Sequence, residues 1–203
     1  MGIAAQTSRD KFAFEGTYGN PFDSTNNPTP DGAAFGSNTH TALNGATVDN
    51  LETSVLTADG LRTSVRSLRL LPRQGGGLGS YRFDGLLVAL NIFETGVEIT
   101  KSELVTNSGE NQINWVSQIY PGVRLGTSEY LHSDYNALNT NVDTTYAVIS
   151  RRHKVTHNVR VGLSTEWIPA SISRSRTAFY RARFRNAVYP GTWGGIVINN
   201  GTV

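Results

Sequence analysis

Histidines and carboxylates are the residues of this chain that could carry chemistry, because it contains no cysteine. His153 and His157 stand four residues apart, a spacing that could place both on one side of a metal ion. No third ligand follows nearby, and a lone histidine pair within basic strands is more often structural. We therefore predict that the protein holds no metal and no cofactor.

A hydrolytic or phosphate-transferring site is not indicated either. His40 and His132 lie in polar stretches, and we interpret both as hydrogen-bonding loop residues. Asp134 and Asp143 have no partner that spacing marks as catalytic, and no G-x-S-x-G motif occurs. The glycine run 75–77 follows a predicted helix and lacks the lysine of a phosphate-binding loop, so we interpret it as a flexible connector. We predict that the protein is not an enzyme.

Arginine dominates the basic residues, with 15 Arg against three Lys. From Arg151 onward the chain has nine basic residues against one acid, Glu166, a formal charge of +8. Residues 1–150 carry the opposite balance, a formal charge of −6. The candidate residues for contact with another subunit or with phosphate are Arg151, Arg152, Arg160, Arg174, Arg176, Arg181, Arg183 and Arg185.

Three roles are open for these arginines. They can bind nucleic-acid phosphates, which makes affinity dependent on salt. They can form ion pairs with the acidic residues of a neighbouring subunit, where the planar guanidinium suits carboxylates. They can also form a solvated strand face, but a merely solvated surface would use more lysine. Subunit pairing is favoured over phosphate binding because it accounts for both the basic and the acidic part of the chain.

Hydrophobic periodicity predicts one clear helix, at residues 57–71, with Thr57 as its N-cap and Leu61, Val65 and Leu68 on its buried face. Weaker patterns predict a second group of elements. In chain order these are a strand at 81–92, a helix at 94–105, a strand at 115–125 that ends near Pro121, a loop at 127–141, and strands at 144–150 and 155–165. Such a mixture is typical of an α+β protein with a β-rich end.

The last predicted strand, at residues 177–189, has two different faces. Its odd positions carry Arg181, Arg183 and Arg185, and its even positions carry Tyr180, Ala182 and Phe184. Arg174 and Arg176 fall on even positions instead. This change predicts a bulge or break near residues 177–179.

Residues 1–50 contain few apolar anchors. Residues 3–14 are compatible with a short helix or with extended structure, and about thirty irregular residues follow, which is long for a compact domain. Tyr18, Phe22 and Phe35 nevertheless need burial. We therefore expect this segment to need another chain to pack on.

The order of motifs resembles that of a known family. The run DGAAFGSNTHTALNG before DNL resembles the D-G-x-x-L-F-x-x-x-H loop of Mu-like tailed-phage major capsid proteins, which have the Hong Kong 97 capsid fold. Leu86, Leu87, Val88 and Glu94 resemble the family's L-L-V-x-x-x-x-E strand, and Asn111 and Asn114 its N-x-x-N-like stretch. The runs TTYAVISRRH and AFYRARFRNAVYPGTWGG stand where that family has a strand with an arginine pair and a basic, aromatic last strand.

The resemblance implies an α+β chain of the Hong Kong 97 type, with the axial domain and part of the peripheral domain. Residues 1–50 would be the end of the spine helix and a loop-rich peripheral segment. Residues 51–142 would be the axial part, and residues 143–203 the basic, β-rich return to the peripheral domain. The family's N-terminal arm, extended hairpin and most of its spine helix have no counterpart before Met1, so a second chain is expected to supply them or the chain is a fragment.

The function implied by the resemblance is structural. The chain would be a major capsid subunit, or the C-terminal half of a split one, which tiles an icosahedral shell around viral DNA. Its partners would be further copies in pentamers and hexamers, and DNA without sequence preference. It would be assembled in the host cytoplasm, reside in the virion and have no membrane contact. The alternatives are a nucleic-acid-binding β protein and an encapsulin-like shell protein.

Overall fold

The protein is described by a computed structural model that covers residues 2–102, 114–168 and 179–201. Its α-helices are α1 (Gly2–Ala13), α2 (Ala58–Leu70), α3 (Phe93–Lys101) and α4 (Trp115–Ile119), and it has a π-turn (Phe14–Tyr18) and a 3-10 turn (Leu90–Ile92). Its strands are β1 (His40–Thr41), β2 (Thr47–Val48), β3 (Leu51–Glu52), β4 (Gly85–Val88), β5 (Arg124–Gly126), β6 (Tyr146–Ile149), β7 (Val155–Ile168), β8 (Phe179–Pro190) and β9 (Ile196–Asn199). The predicted α+β class is confirmed.

A five-stranded mixed sheet forms the centre of the fold, with strand order β3-β9-β6-β4-β5. β6 runs antiparallel to both of its neighbours, β4 and β9. The outer strands β3 and β5 run parallel to β9 and β4. The central strands read GLLV, YAVI and IVIN, apolar runs that are typical of strands covered on both faces.

The two faces of this sheet are covered by different parts of the chain. On one face, helix α2 buries Leu61, Val65 and Leu68 in the main core against β6 and β9. On the other face, the irregular segment of the first fifty residues packs Phe35 against Ile198 and its neighbours on β9. The expectation that this segment needs another chain to pack on is wrong for its aromatics, because Phe35, Tyr18 and Phe22 pack on this chain's own sheet.

Helix α2 matches its prediction in bounds and in cap. Thr57 accepts a hydrogen bond from the Gly60 N–H at 3.0 Å, which satisfies one of the free amides of the first turn. Ser64, on the buried face, lies 3.2 Å from both Tyr146 Oη and Asn199 Oδ1. Burial raises the pKa of Tyr146 to about 12, so this phenol remains a neutral hydrogen-bonding group.

The strand predicted within residues 115–125, with its end near Pro121, is wrong. Residues 115–119 form helix α4, and strand β5 begins only at Arg124, after Pro121. Asn114 caps the helix, since its Oδ1 accepts from the Val116 N–H at 3.0 Å while its amide donates to the Ile99 carbonyl. A buried side-chain cap decides the backbone here, and apolar periodicity alone does not contain that information.

Two other predictions differ from the structure. The strand expected at 81–92 is confined to β4, because the chain turns into the 3-10 turn and α3 directly after Val88. The glycine run is not a free connector: the Arg73 N–H donates to the Gly77 carbonyl and the Gly76 N–H to the Arg73 carbonyl. Gly76 and Gly77 both have positive φ, which glycine alone adopts without strain.

The described helices are short compared with the thickness of a membrane. The longest described α-helix, α2, has 13 residues, whereas a span of the hydrocarbon core needs about 20. Within residues 2–102, 114–168 and 179–201, no helix is long and apolar enough to cross a membrane.

Candidate interaction surface

Strands β7 and β8 form a separate antiparallel ribbon, which holds four of the eight predicted contact arginines. The strands have 14 and 12 residues, so the ribbon is roughly 40 Å long. In the part of the chain that the structure describes, β7 and β8 are hydrogen-bonded to each other and to no strand of the five-stranded sheet. The ribbon is therefore not part of the central sheet.

One face of the ribbon is basic. Arg181, Arg183 and Arg185 alternate regularly along β8 and therefore share a face. Across the strand Arg181 pairs with Glu166, and the two side chains approach to 3.8 Å. Arg183 lies opposite Ser164, and neither it nor Arg185 makes an ion pair with a residue that the structure describes. The predicted common face of these arginines is confirmed.

Exposed apolar side chains also lie on the ribbon. Val159 is 56% exposed and Trp167 is 53% exposed, and Val161 is exposed as well. Because neighbouring residues of a strand point to opposite faces, Trp167 lies on the face away from that of Glu166 and Arg181. Both faces of the ribbon therefore carry side chains that are more stable when covered.

The pairing of β7 with β8 is irregular on the β7 side. The register shifts between Val159 and Val161, and again between Val161 and Ser164. Arg160 is thus the extra residue of a bulge, and its side chain is exposed. The break predicted near residues 177–179, with Arg174 and Arg176, lies outside the described residues, as do the side chains of Tyr180 and Phe184.

The base of the ribbon is fixed to the body of the protein. Helix α1 contacts both β7 and β8, and the π-turn contacts β8. Within the ribbon, the Asn158 amide of β7 donates to Tyr189 Oη of β8 at 3.3 Å. A groove of about 620 Å³ lies between the N-terminal segment and β8, lined by Phe12, Leu138 and Val188 among others. These contacts set the direction in which the ribbon projects.

Arg151 and Arg152 lie in the tight turn that joins β6 to the ribbon. The Arg151 N–H donates to the Asp84 carboxylate at 3.0 Å, and its side chain lies 3.9 Å from the same group. Arg152 donates to the Gly79 carbonyl at 3.4 Å. Both side chains are exposed, but they are held near the body and not on the ribbon face.

Gly195 makes this turn possible. Its φ is +82°, and a Cβ there would lie 2.9 Å from the His153 backbone nitrogen. Its carbonyl also accepts from the Ser150 N–H at 2.8 Å. The turn that carries Arg151 and Arg152 therefore requires a residue without a side chain at position 195.

A buried polar cluster joins the first fifty residues to the sheet. His40 is fully buried, with Nδ1 3.0 Å from Asp31 Oδ2 and Nε2 3.1 Å from Asn50 Oδ1, and its ring stacks on Trp193. The Asn50 amide donates to the Phe35 carbonyl at 2.9 Å. Both ring nitrogens of His40 thus lie within hydrogen-bond distance of oxygen atoms.

This cluster contains the DG, Phe and His positions of the DGAAFGSNTHTALNG motif, together with Asn50 of DNL. His40 is a hydrogen-bonding residue, as predicted, but it lies in the short strand β1 and not in a loop. Sequence reasoning missed its partners Asn50 and Trp193, which are ten and more than one hundred residues away. The buried position of the cluster indicates that the motif organises a loop.

The carboxylate of Asp31 makes this cluster sensitive to acid. Burial alone would raise the pKa of Asp31, but hydrogen bonds from Thr29 Oγ1, the Thr41 N–H and His40 outweigh it and lower the pKa. A lowered pKa stabilises the fold above the ordinary value of about 4, and this contribution disappears as pH falls through the folded-state pKa.

We expect the stability difference between wild type and Asp31→Asn to be largest near neutral pH and to shrink in acid. Urea unfolding at several pH values measures it. Asp23, whose pKa is lowered to about 2 by hydrogen bonds from Asn26 and Thr25, titrates in both proteins and cancels in the comparison. The exposed Asp134→Asn is the control. A difference that does not change with pH would contradict the role of the Asp31 charge.

The remaining histidines have separate local partners. His153 lies 3.2 Å from Tyr18 Oη and 2.7 Å from the Ser150 carbonyl, and His157 is in β7. His132 Nδ1 accepts from the Asp134 N–H at 3.0 Å, as expected for a loop hydrogen-bonding residue. Among the described residues, no three His, Asp or Glu side chains are grouped as metal ligands.

The arrangement as a whole is a projecting basic ribbon on a firmly packed body. Of the eight predicted contact arginines, the structure groups three on one ribbon face, puts Arg160 at a bulge of the same ribbon and places two in the turn at its base. Such a surface can bind a protein or a polyanion. No protein-family model and no curated protein matches this chain.

Proposed function

We propose that the protein is a self-assembling structural subunit, of the major-capsid type that the motif order resembles. One observation carries the proposal: described side chains are exposed on both faces of the β7–β8 ribbon, Arg183 and Arg185 on one face and Val159 and Trp167 on the other. A two-stranded ribbon is at best marginally stable in water when nothing covers it. The proposed role of the ribbon is to lie on a neighbouring subunit.

The chemistry of the ribbon specifies the neighbour. Arg183 and Arg185 present positive charge without an internal partner among the described residues, and Trp167 offers apolar area on the other face. Residues 1–150 of the chain carry a net charge of −6. A second copy therefore supplies the acidic surface that the ribbon needs, in a head-to-tail contact that closes into rings.

In the finer form of the proposal, the fold is that of the Hong Kong 97 capsid proteins. Residues 51–142 form the axial part and residues 143–203 return to the peripheral domain. Pentamers and hexamers of the chain build an icosahedral shell around viral DNA, together with a second chain where one supplies the arm, hairpin and spine helix. The protein has no catalytic role and resides in the virion. The order of motifs and the exposed ribbon support this assignment.

Replacing Arg183 and Arg185 together with Glu tests the ribbon contact. We expect wild type to form large assemblies in sedimentation velocity and electron microscopy, and the double variant to remain near the 22.0 kDa monomer. Repulsion replaces attraction at the contact, which costs several kcal/mol per interface. Arg73→Glu with Arg124→Glu is the matched control, because both residues are exposed but lie off the ribbon.

Far-UV circular dichroism is expected to be unchanged in both variants, since neither removes a buried group. If the variant with Arg183→Glu and Arg185→Glu formed normal assemblies, the ribbon would not be part of the subunit contact. A wild type that stays monomeric at all concentrations would overturn the structural function itself.

A nucleic-acid-binding β protein is the second candidate. Tyr189 shares the arginine face of β8 and is exposed, so a base could stack there while arginines contact phosphates. Trp167 lies on the other face, which weakens this alternative. A monomer whose DNA affinity falls steeply with salt would favour it over the capsid function.

A further inference from the structure

A second exposed surface lies on the helix layer, away from the ribbon. We define the basic helix surface as Arg66, Arg69, Leu70, Leu78 and Ile119. Leu70, Leu78 and Ile119 are 62%, 71% and 61% exposed. They border a groove of about 590 Å³ between α2 and α4. Three large exposed aliphatic side chains beside two arginines are unusual for a surface that only meets solvent.

The arginines of this surface are not neutralised locally. Arg62, one turn earlier on α2, pairs with Asp59 at 2.8 Å and lies over the Trp115 ring at 5.6 Å. Arg66 and Arg69, by contrast, make no ion pair with any residue in the described part of the chain. Their positive charge is therefore directed outward.

An acidic counterpart lies on helix α3. We define the acidic helix surface as Glu94, Val97 and Glu98, all of which are exposed. Like charges four residues apart on a helix repel each other, so this pair weakens α3 unless a cation lies nearby. In residues 2–102, 114–168 and 179–201, neither glutamate has an ion-pair partner. The two glutamates are therefore a matching target for an external basic surface.

The dimensions of the two surfaces agree. Arg66 and Arg69 are about 4.5 Å apart along the axis of α2, and Glu94 and Glu98 are about 6 Å apart along α3. Each pair has an aliphatic side chain beside it, Leu70 or Val97. With the helices antiparallel, Glu94 meets Arg69 and Glu98 meets Arg66.

The two surfaces face different neighbours. Helix α2 packs over β6 and β9, whereas α3 packs over β4 and β5. A contact between the basic helix surface of one molecule and the acidic helix surface of another is heterologous, because it joins two different surfaces. Each copy can therefore use both surfaces at once, with a different neighbour on each. Repetition of such a contact produces a ring.

We propose that the basic helix surface of one copy binds the acidic helix surface of a second copy. The inference rests on the proposed assembly function and adds a contact to it, separate from the ribbon. The partner surface is specified by its charge, by its apolar content and by the spacing of its charged residues.

Charge reversal tests the proposed pairing. Arg66→Glu with Arg69→Glu, and separately Glu94→Lys with Glu98→Lys, are each expected to weaken self-association at least about tenfold. The chain with all four substitutions restores opposite charges at every contact, and we expect it to regain association. Arg73→Glu with Arg124→Glu is again the control, with no expected loss.

Thiol cross-linking tests the geometry, because the natural chain has no cysteine. Leu70→Cys and Val97→Cys are made in separate chains and treated with a short bismaleimide. A mixture of the two is expected to give a covalent dimer. Either variant alone is expected to give none, because each then lacks its matching partner.

The outcomes separate this inference from the proposed function. Assemblies that form normally with Arg66→Glu and Arg69→Glu, and give no mixed cross-link, overturn the helix contact and leave the assembly function standing. Dimers of Leu70→Cys with itself show a symmetric contact and also overturn it. A variant that keeps its association but loses DNA binding assigns the arginines to nucleic acid. A wild type that is monomeric throughout, without a mixed cross-link, overturns both.

Discussion

Trp193→Ala is expected to cost about 3–5 kcal/mol of unfolding free energy. Trp193 is among the largest fully buried side chains and lies in the main core, and its ring stacks on His40 with centroids 5.7 Å apart. The surrounding strands cannot collapse into a cavity of that size, so contacts as well as apolar burial are lost. Urea unfolding followed by circular dichroism measures the change.

Trp167→Ala is the matched control, because Trp167 is half exposed on the ribbon. We expect its unfolding free energy to lie within about 1 kcal/mol of wild type. The same substitution should weaken self-association, since it removes apolar area from a surface that we propose to be an interface. Equal destabilisation by both substitutions would contradict the separation of core from ribbon.

Asn50→Ala is expected to cost about 3 kcal/mol and to loosen the segment before it. Asn50 accepts from the Ser37 N–H at 2.9 Å, donates to the Phe35 and Trp193 carbonyls and contacts His40. Alanine replaces none of these bonds, so several buried polar groups lose their partner together. Hydrogen exchange at the Ser37 amide should accelerate, and it reports the loop directly.

Asn38→Ala, at an exposed position of the same segment, provides the comparison. It should leave both the unfolding free energy and the Ser37 exchange rate close to wild type. If Asn50→Ala also left the Ser37 exchange rate unchanged, the cluster would not be what holds the first fifty residues on the sheet.

The sequence supports the elements whose signals are local. Thr57 and the spacing of Leu61, Val65 and Leu68 predict helix α2 with its cap, because both depend on residues within a few turns. The alternation along β8 likewise predicts that Arg181 and Arg183 share a face. The acid and base asymmetry is a property of composition and requires no structure.

Long-range packing decided the rest. The Asn114 side chain is held in its capping position because its amide donates to the Ile99 carbonyl, 15 residues earlier. The segment that Asn114 caps is therefore a helix. His40 is predicted from the sequence to be a loop residue, but its environment is set by Asn50 and Trp193. Neither partner follows from periodicity, because periodicity records which side of an element is apolar and not what lies against it.

For the arginines as well, some properties follow from the sequence and others only from the tertiary structure. Their number and their alternation can be read from the residues alone, and these predict a basic face. Only the tertiary structure shows that this face belongs to a two-stranded ribbon with exposed side chains, and that Arg151 and Arg152 are held by Asp84 and Gly79. It also shows that exposed charges of opposite sign on α2 and α3 have no ion-pair partner among the described residues. Exposure depends on which surfaces the rest of the chain leaves uncovered, and that is fixed only when the whole chain packs.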